Sequence, residues 1–208
     1  MSLHWGLLAA PTSSEALLAE LSRHAGDFVG GDPLPEPFVI KYGPEGEEWD
    51  LAIGEHDGKA FLFDPNMALS GEADLIVAMS EPLGLVVGGF VEGVSGTSSF
   101  TLARSGELVR HVFANRSGMS EDFHLGEPLA FEDEEPLTHP WGYGLYAGFT
   151  FAGLAIEPWM KAGPATGLAY TAERRPADGP IGRASNDHYD RYETAEGRRI
   201  RELMRRYR

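Results

Sequence analysis

The 208-residue chain contains no cysteine, which excludes disulfides, thiol catalysis and zinc sites built on thiolates. Positive charge is scarce: 17 Lys and Arg stand against 32 Asp and Glu, a formal net charge of −15. There is no run of the roughly 20 mostly apolar residues that a spanning helix needs. The longest uncharged stretch, residues 136–156, is glycine-rich and interrupted by His139 and Pro140. The opening residues, Met1 to Trp5, lack the basic stretch and apolar run of a secretory signal, so a cytosolic chain without membrane attachment is expected.

Catalytic signatures are missing too. Ser13, Ser95 and Ser98 stand outside any Gly-x-Ser-x-Gly elbow. The glycines at 84, 88, 89 and 93 lack the spacing and the lysine of a phosphate loop. The acidic clusters lack the ligand spacing and central glycine of a calcium loop. The sequence therefore assigns no catalytic residue, no metal ligand and no cofactor.

What is present is a 42% hydrophobic, 11% aromatic composition, enough for one packed core without cross-links. Charge is unevenly spread. Residues 1–173 carry 7 Lys and Arg against 26 Asp and Glu, whereas residues 174–208 carry 10 Arg against 6 Asp and Glu. The chain reads as an acidic domain, 1–173, followed by a linker and basic tail, 174–208. An acidic body repels nucleic acid and anionic membranes and attracts basic partners.

Thr12, Ser13, Ser14 and Glu15 have capping-box spacing, with Leu17, Leu18 and Leu21 following at helical intervals. They predict a helix over 13–25 that Gly26 ends, and then a loop over 30–37 set by three prolines. Strands are expected at 38–42, at 49–53 and at 59–63, the last two joined through Asp57-Gly58. Residues 75–79 fit either a helix or a buried strand, and 85–91 reads as a strand. The clearest hairpin joins 98–104 to 107–115 through Ser105-Gly106. Residues 123–135 are acidic and turn-rich. Leu145, Phe149, Ala152 and Ile156 favour a buried helix, which Gly144, Gly148 and Gly153 weaken. A helical turn at 157–161 and a returning strand at 167–171 follow. In the tail, Ile200, Leu203, Met204 and Tyr207 fall on one helical face among arginines, the pattern of a basic amphipathic helix. The predicted fold is α+β, an antiparallel sheet of about five to seven strands with helices packed on one face, plus the C-terminal basic helix.

Three sets of residues are candidates for function. Glu45, Glu47, Glu48 and Asp50, with Glu132, Asp133, Glu134 and Glu135, form two acidic patches suited to a cationic partner. His111, His124, Trp141 and Tyr143 are candidates for lining a pocket, although strand alternation puts Arg110 and His111 on opposite faces. The tail offers Arg198, Arg201 and Arg205 beside Ile200, Leu203, Met204 and Tyr207, for contact with its own body, a neighbouring subunit in a homo-oligomer, nucleic acid or another protein.

Residues 84–173 resemble small uncharacterised bacterial proteins, some of them similar to immunity proteins of toxin systems. The resemblance lies in the apolar strand 85–91 and the hairpin 98–115 carrying Arg104-Ser-Gly-Glu-Leu-Val-Arg110. Gly126-Glu-Pro-Leu129, a glycine-containing apolar helix, and Gly163-Pro164 before a last strand complete it. The basic tail departs from the pattern. The resemblance implies a cytosolic α+β protein that acts by binding, an inhibitor of a basic toxin or nuclease. Two other readings compete: a small-molecule enzyme or ligand-binding domain with a pocket near Trp141, and a self-assembling structural or phage-type protein bridged by its tail.

Overall fold

The structure is a computed structural model, and it describes residues 4–37, 49–115, 122–138, 143–172, 179–184 and 188. Nine strands among them form a single sheet: β1 (His4–Ala10), β2 (Gly26–Leu34), β3 (Leu51–His56), β4 (Lys59–Asp64), β5 (Leu85–Glu92), β6 (Thr97–Arg104), β7 (Glu107–Asn115), β8 (Phe123–Leu125) and β9 (Ala165–Ala172). Their order is β2-β9-β3-β4-β1-β5-β6-β7-β8, and every pairing is antiparallel. The antiparallel α+β class is as the sequence predicts; the sheet is larger than the five to seven strands expected.

Three strands are unforeseen: β1, β2 and the short β8, which opens the segment read as turn-rich. β1 occupies the middle of the sheet between β4 and β5, and Trp5 to Ala10 are buried. Trp5, Leu7 and Ala9 enter one core, whereas Leu8 and Ala10 enter the other. A strand apolar on both faces shows no alternation in sequence, which hides it. β2 lies where a helix stop and loop are predicted. Its bulge between Gly30 and Pro33 absorbs the proline on an edge strand, where the missing donor costs least.

Both short hairpins form as expected. Asp57 and Gly58, with φ of 51° and 69°, turn β3 into β4, and Ser105 and Gly106, with φ of 50° and 82°, turn β6 into β7. Left-handed pairs of this kind match the twist of the strands they join. The strand predicted at 38–42 lies outside the described residues.

Four helices are bounded among the described residues, α1 (Ser14–His24), α2 (Ala73–Leu83), α3 (Tyr143–Phe151) and α4 (Glu157–Ala162), and residues 180–184 are helical as well. They cover both faces of the sheet, correcting the one-face arrangement. Leu17 and Leu21 of α1 pack with Leu75, Ile76 and Met79 of α2 against one face. Leu145 and Phe149 of α3 pack with Trp159 and Met160 of α4 against the other. Two cores are required because the central strands bury side chains on both sides. The ambiguous segment 75–79 resolves as the middle of α2. Ser13, one residue later than predicted, caps α1: its hydroxyl accepts from the Ala16 amide at 3.2 Å. Gly26 opens β2 instead of ending the helix.

Gly144 and Gly148 allow α3 to lie close to its neighbours. A Cβ at 144 would collide with the Pro136 carbonyl oxygen and one at 148 with the Phe100 ring. The glycines that weaken a helix in isolation are the condition for this one to dock. On the opposite face, Asp74 at the start of α2 accepts from the amides of Ile181 and Gly182 at 3.1 and 2.8 Å. Part of the expected linker is therefore bonded to the body.

Candidate functional site

The chemistry-bearing residues gather at the β7–β8 end of the sheet and in the segment that follows it. Arg110 is 3% exposed, on the face that α3 covers, and all five of its N–H donors are engaged. Nε and Nη2 donate to the two oxygens of Glu132 at 2.9 and 2.7 Å. Nη1 donates to the carbonyls of Gly126 and Leu125 at 2.8 and 3.4 Å, and Nη2 also donates to His124 Nδ1 at 3.2 Å. A guanidinium has no acceptor, so His124 accepts through an unprotonated Nδ1. Burial, then the Arg110 charge, hold the imidazole below its ordinary range and keep it neutral.

This knot fixes the backbone of the acidic segment. Glu132 Oε1 accepts the Leu129 amide at 2.8 Å, and the Glu132 amide donates to the Leu129 carbonyl at 2.9 Å. The amides of Glu134 and Glu135 donate to the Phe131 carbonyl at 3.1 and 2.9 Å. Asp133, Glu134 and Glu135 are left exposed on a rigid turn. Glu132 is the exception within the patch: both its carboxylate oxygens are taken up by the buried guanidinium, and its side chain is 12% exposed.

Beside the turn runs the outer side of α3, which holds no charged residue. Phe151 is 51% exposed and Tyr143 59%, and with Ala147 between them they share one side of the helix at intervals of four. Phe131, on the acidic turn, places its ring 5.4 Å from that of Phe151. The result is an aromatic strip rimmed by three exposed carboxylates. Sequence reading missed Phe131 and Phe151. The available signal was a helix whose aromatic residues extend round more of its circumference than one core can bury.

Among the described residues, the two candidate pocket histidines lie on opposite faces of the sheet. His124 stands opposite Val112 in the β7–β8 register, so it shares the Arg110 face, whereas His111 projects from the other face. There His111 Nδ1 shares a 2.9 Å hydrogen bond with Thr101 Oγ1, and its ring meets Phe123 edge-on. Desolvation pushes its pKa down to about 4. Phe123 in turn contacts His188, 5.1 Å between ring centres. Tyr143 belongs to the α3 surface, and Trp141 lies outside the described residues. Among the described residues no three His, Asp or Glu side chains converge in a metal-binding arrangement.

Of the first acidic patch, Asp50 accepts the Tyr170 amide at 2.9 Å and stitches β9 to the start of β3. Glu45, Glu47 and Glu48 lie outside the described residues. So do the tail residues Arg198, Ile200, Arg201, Leu203, Met204, Arg205 and Tyr207. Among the described residues no helix is long and apolar enough to cross a membrane. No family model matches the chain, and no match to a curated protein or to a solved structure is found.

Proposed function

We propose that the chain is a non-enzymatic binding protein that docks a basic protein through the aromatic strip of α3 and the carboxylates beside it. The resemblance of residues 84–173 to immunity-like proteins makes a basic toxin or nuclease the natural class of partner, and inhibition by occlusion the natural outcome. The observation that carries the reading is the division of labour in residues 132–135. Glu132 turns inward to neutralise Arg110, and Asp133, Glu134 and Glu135 face solvent on the turn it anchors.

The physics suits recognition of a cation. Residues 122–172 hold seven carboxylates (122, 127, 132, 133, 134, 135 and 157) and one lysine, Lys161, so the field over this region favours positive charge. Charges at the rim speed encounter and select the partner's sign, while exposed aromatic rings supply buried area once water is excluded. A turn already held in place loses little entropy on binding.

The test is capture of proteins from the source organism's extract on the immobilised chain, compared with a D133K/E134K/E135K variant and with F151S. The expected result is a basic protein held by the native chain, released by salt, and lost from both variants. Retention of the same protein by the charge-reversed variant would overturn the reading.

A further inference from the structure

The aromatic strip and its acidic rim have a match in the chain's own C-terminal segment. We propose that residues 196–208 dock in cis on α3 and the 131–135 turn, laying Ile200, Leu203, Met204 and Tyr207 along Phe151, Phe131 and Tyr143, with the flanking arginines against Asp133, Glu134 and Glu135.

Three observations choose this occupant. The first is chemical complementarity: residues 196–208 contain six arginines, two glutamates and four apolar residues on one helical face. The α3 surface offers apolar area and carboxylates with no cation on the helix itself. The second is where the described chain leads. Asp74 pins Ile181 and Gly182, and His188 rests on Phe123 of β8, the strand at the end of the sheet. Phe123 stands on the face opposite α3, so His188, the last described residue, lies at the β8 edge, from which the acidic segment continues. The third is reach. Twelve positions separate His188 from Ile200, and an extended chain covers roughly 40 Å over that length, enough to round the β8 edge onto the α3 face.

Tethering sets the strength of the contact. A segment held on a short connection has an effective concentration of about millimolar, so even a weak helix-in-groove contact is well occupied. The tail would then shield the aromatic strip from solvent and from casual cations, and a partner would have to displace it. That regulatory consequence rests on the binding reading above; the docking itself does not.

The absence of cysteine makes the test direct, since any disulfide must come from introduced residues. Thr150, exposed on α3, and Arg201 are replaced to give T150C/R201C in the full chain. S22C/R201C, with its body site exposed on α1 across the sheet, serves as control. Under mild oxidation the first pair is expected to close within one chain about tenfold faster than the control. In 1 M NaCl, or on adding D133K/E134K/E135K, it should slow to the control's rate. Equal rates for the two pairs, or disulfides formed only between chains, would overturn docking in cis. The salt comparison keeps the test valid if the charge-reversed chain fails to fold. No partner enters the measurement, so its failure leaves the binding reading standing, and a docked tail without any basic partner sinks that reading alone.

Discussion

The Glu132 carboxylate grips the Arg110 guanidinium with both oxygens, at 2.9 and 2.7 Å, with the arginine side chain 4% exposed and the glutamate 12%. A pair this buried is costly to form and costlier to break. Removing one member leaves the other charge without compensation, a loss of about 3–5 kcal/mol. Glu132→Ala should therefore lower unfolding stability by that amount in urea titration. Alanine at Asp133, Glu134 or Glu135 should change it by less than about 0.5 kcal/mol. Equal effects across the four positions would remove Glu132 from its structural role.

His111 sets a pH dependence whose sign follows from its burial. Its folded pKa is pushed down to about 4 from an ordinary 6.5, so between those values the unfolded chain binds the extra proton. Stability is full above pH 6.5 and falls as pH drops towards 4, by roughly 3 kcal/mol if the whole shift is expressed. His124, held low by burial and Arg110, acts in the same direction. Glu92 acts at lower pH. Its bond with Ser95 leads the interactions that bring its pKa down to about 2, so its contribution is lost below about pH 4.5. His111→Gln should flatten the limb between pH 6.5 and 4.5, read as denaturation midpoints across that range. An unchanged limb would contradict the assignment.

The cap of α1 separates two adjacent hydroxyls. Ser13 accepts from the Ala16 amide, so Ser13→Ala should cost about 1 kcal/mol. Thr12, outside the helix, should tolerate alanine with a change of a few tenths at most. The reverse order in thermal unfolding would restore the capping box that the sequence suggests.

Gly144 is the tightest point of the α3 seat, against the backbone of Pro136 and Leu137. Backbone cannot yield as a side-chain tip can, so Gly144→Ala should destabilise by about 1–3 kcal/mol, despite alanine's better helix propensity. It should also weaken capture of a basic partner by shifting the strip relative to the acidic turn. A stabilised variant would mean that the helix sits further out.

What the sequence disclosed, and what it concealed, follows the range of the physics involved. Asp57-Gly58 and Ser105-Gly106 announce their hairpins because a left-handed pair of residues is a local requirement. β1 is silent because Leu7 to Ala10 serve two cores at once. β9 was seen as a strand, yet its place between β2 and β3 was hidden, since its partners are more than 100 residues away. In the site, alternation correctly parts Arg110 from His111. The sequence cannot show that Arg110 recruits Glu132 across 22 positions, which makes one member of an acidic run a fastening. Phe151 reads as part of a buried helix because the excess of aromatic residues round α3 shows that one side is exposed but not which side.

The central claim is that Asp133, Glu134 and Glu135, beside Phe151, form a binding face for a basic protein. Its most direct test is titration calorimetry of the purified captured partner with the native chain and with D133K/E134K/E135K, at 50 and 500 mM NaCl. The account predicts at least roughly tenfold weaker binding for the native chain at high salt, a similar loss for the variant at low salt, and a shallower salt dependence for the variant. Four equal affinities would contradict it.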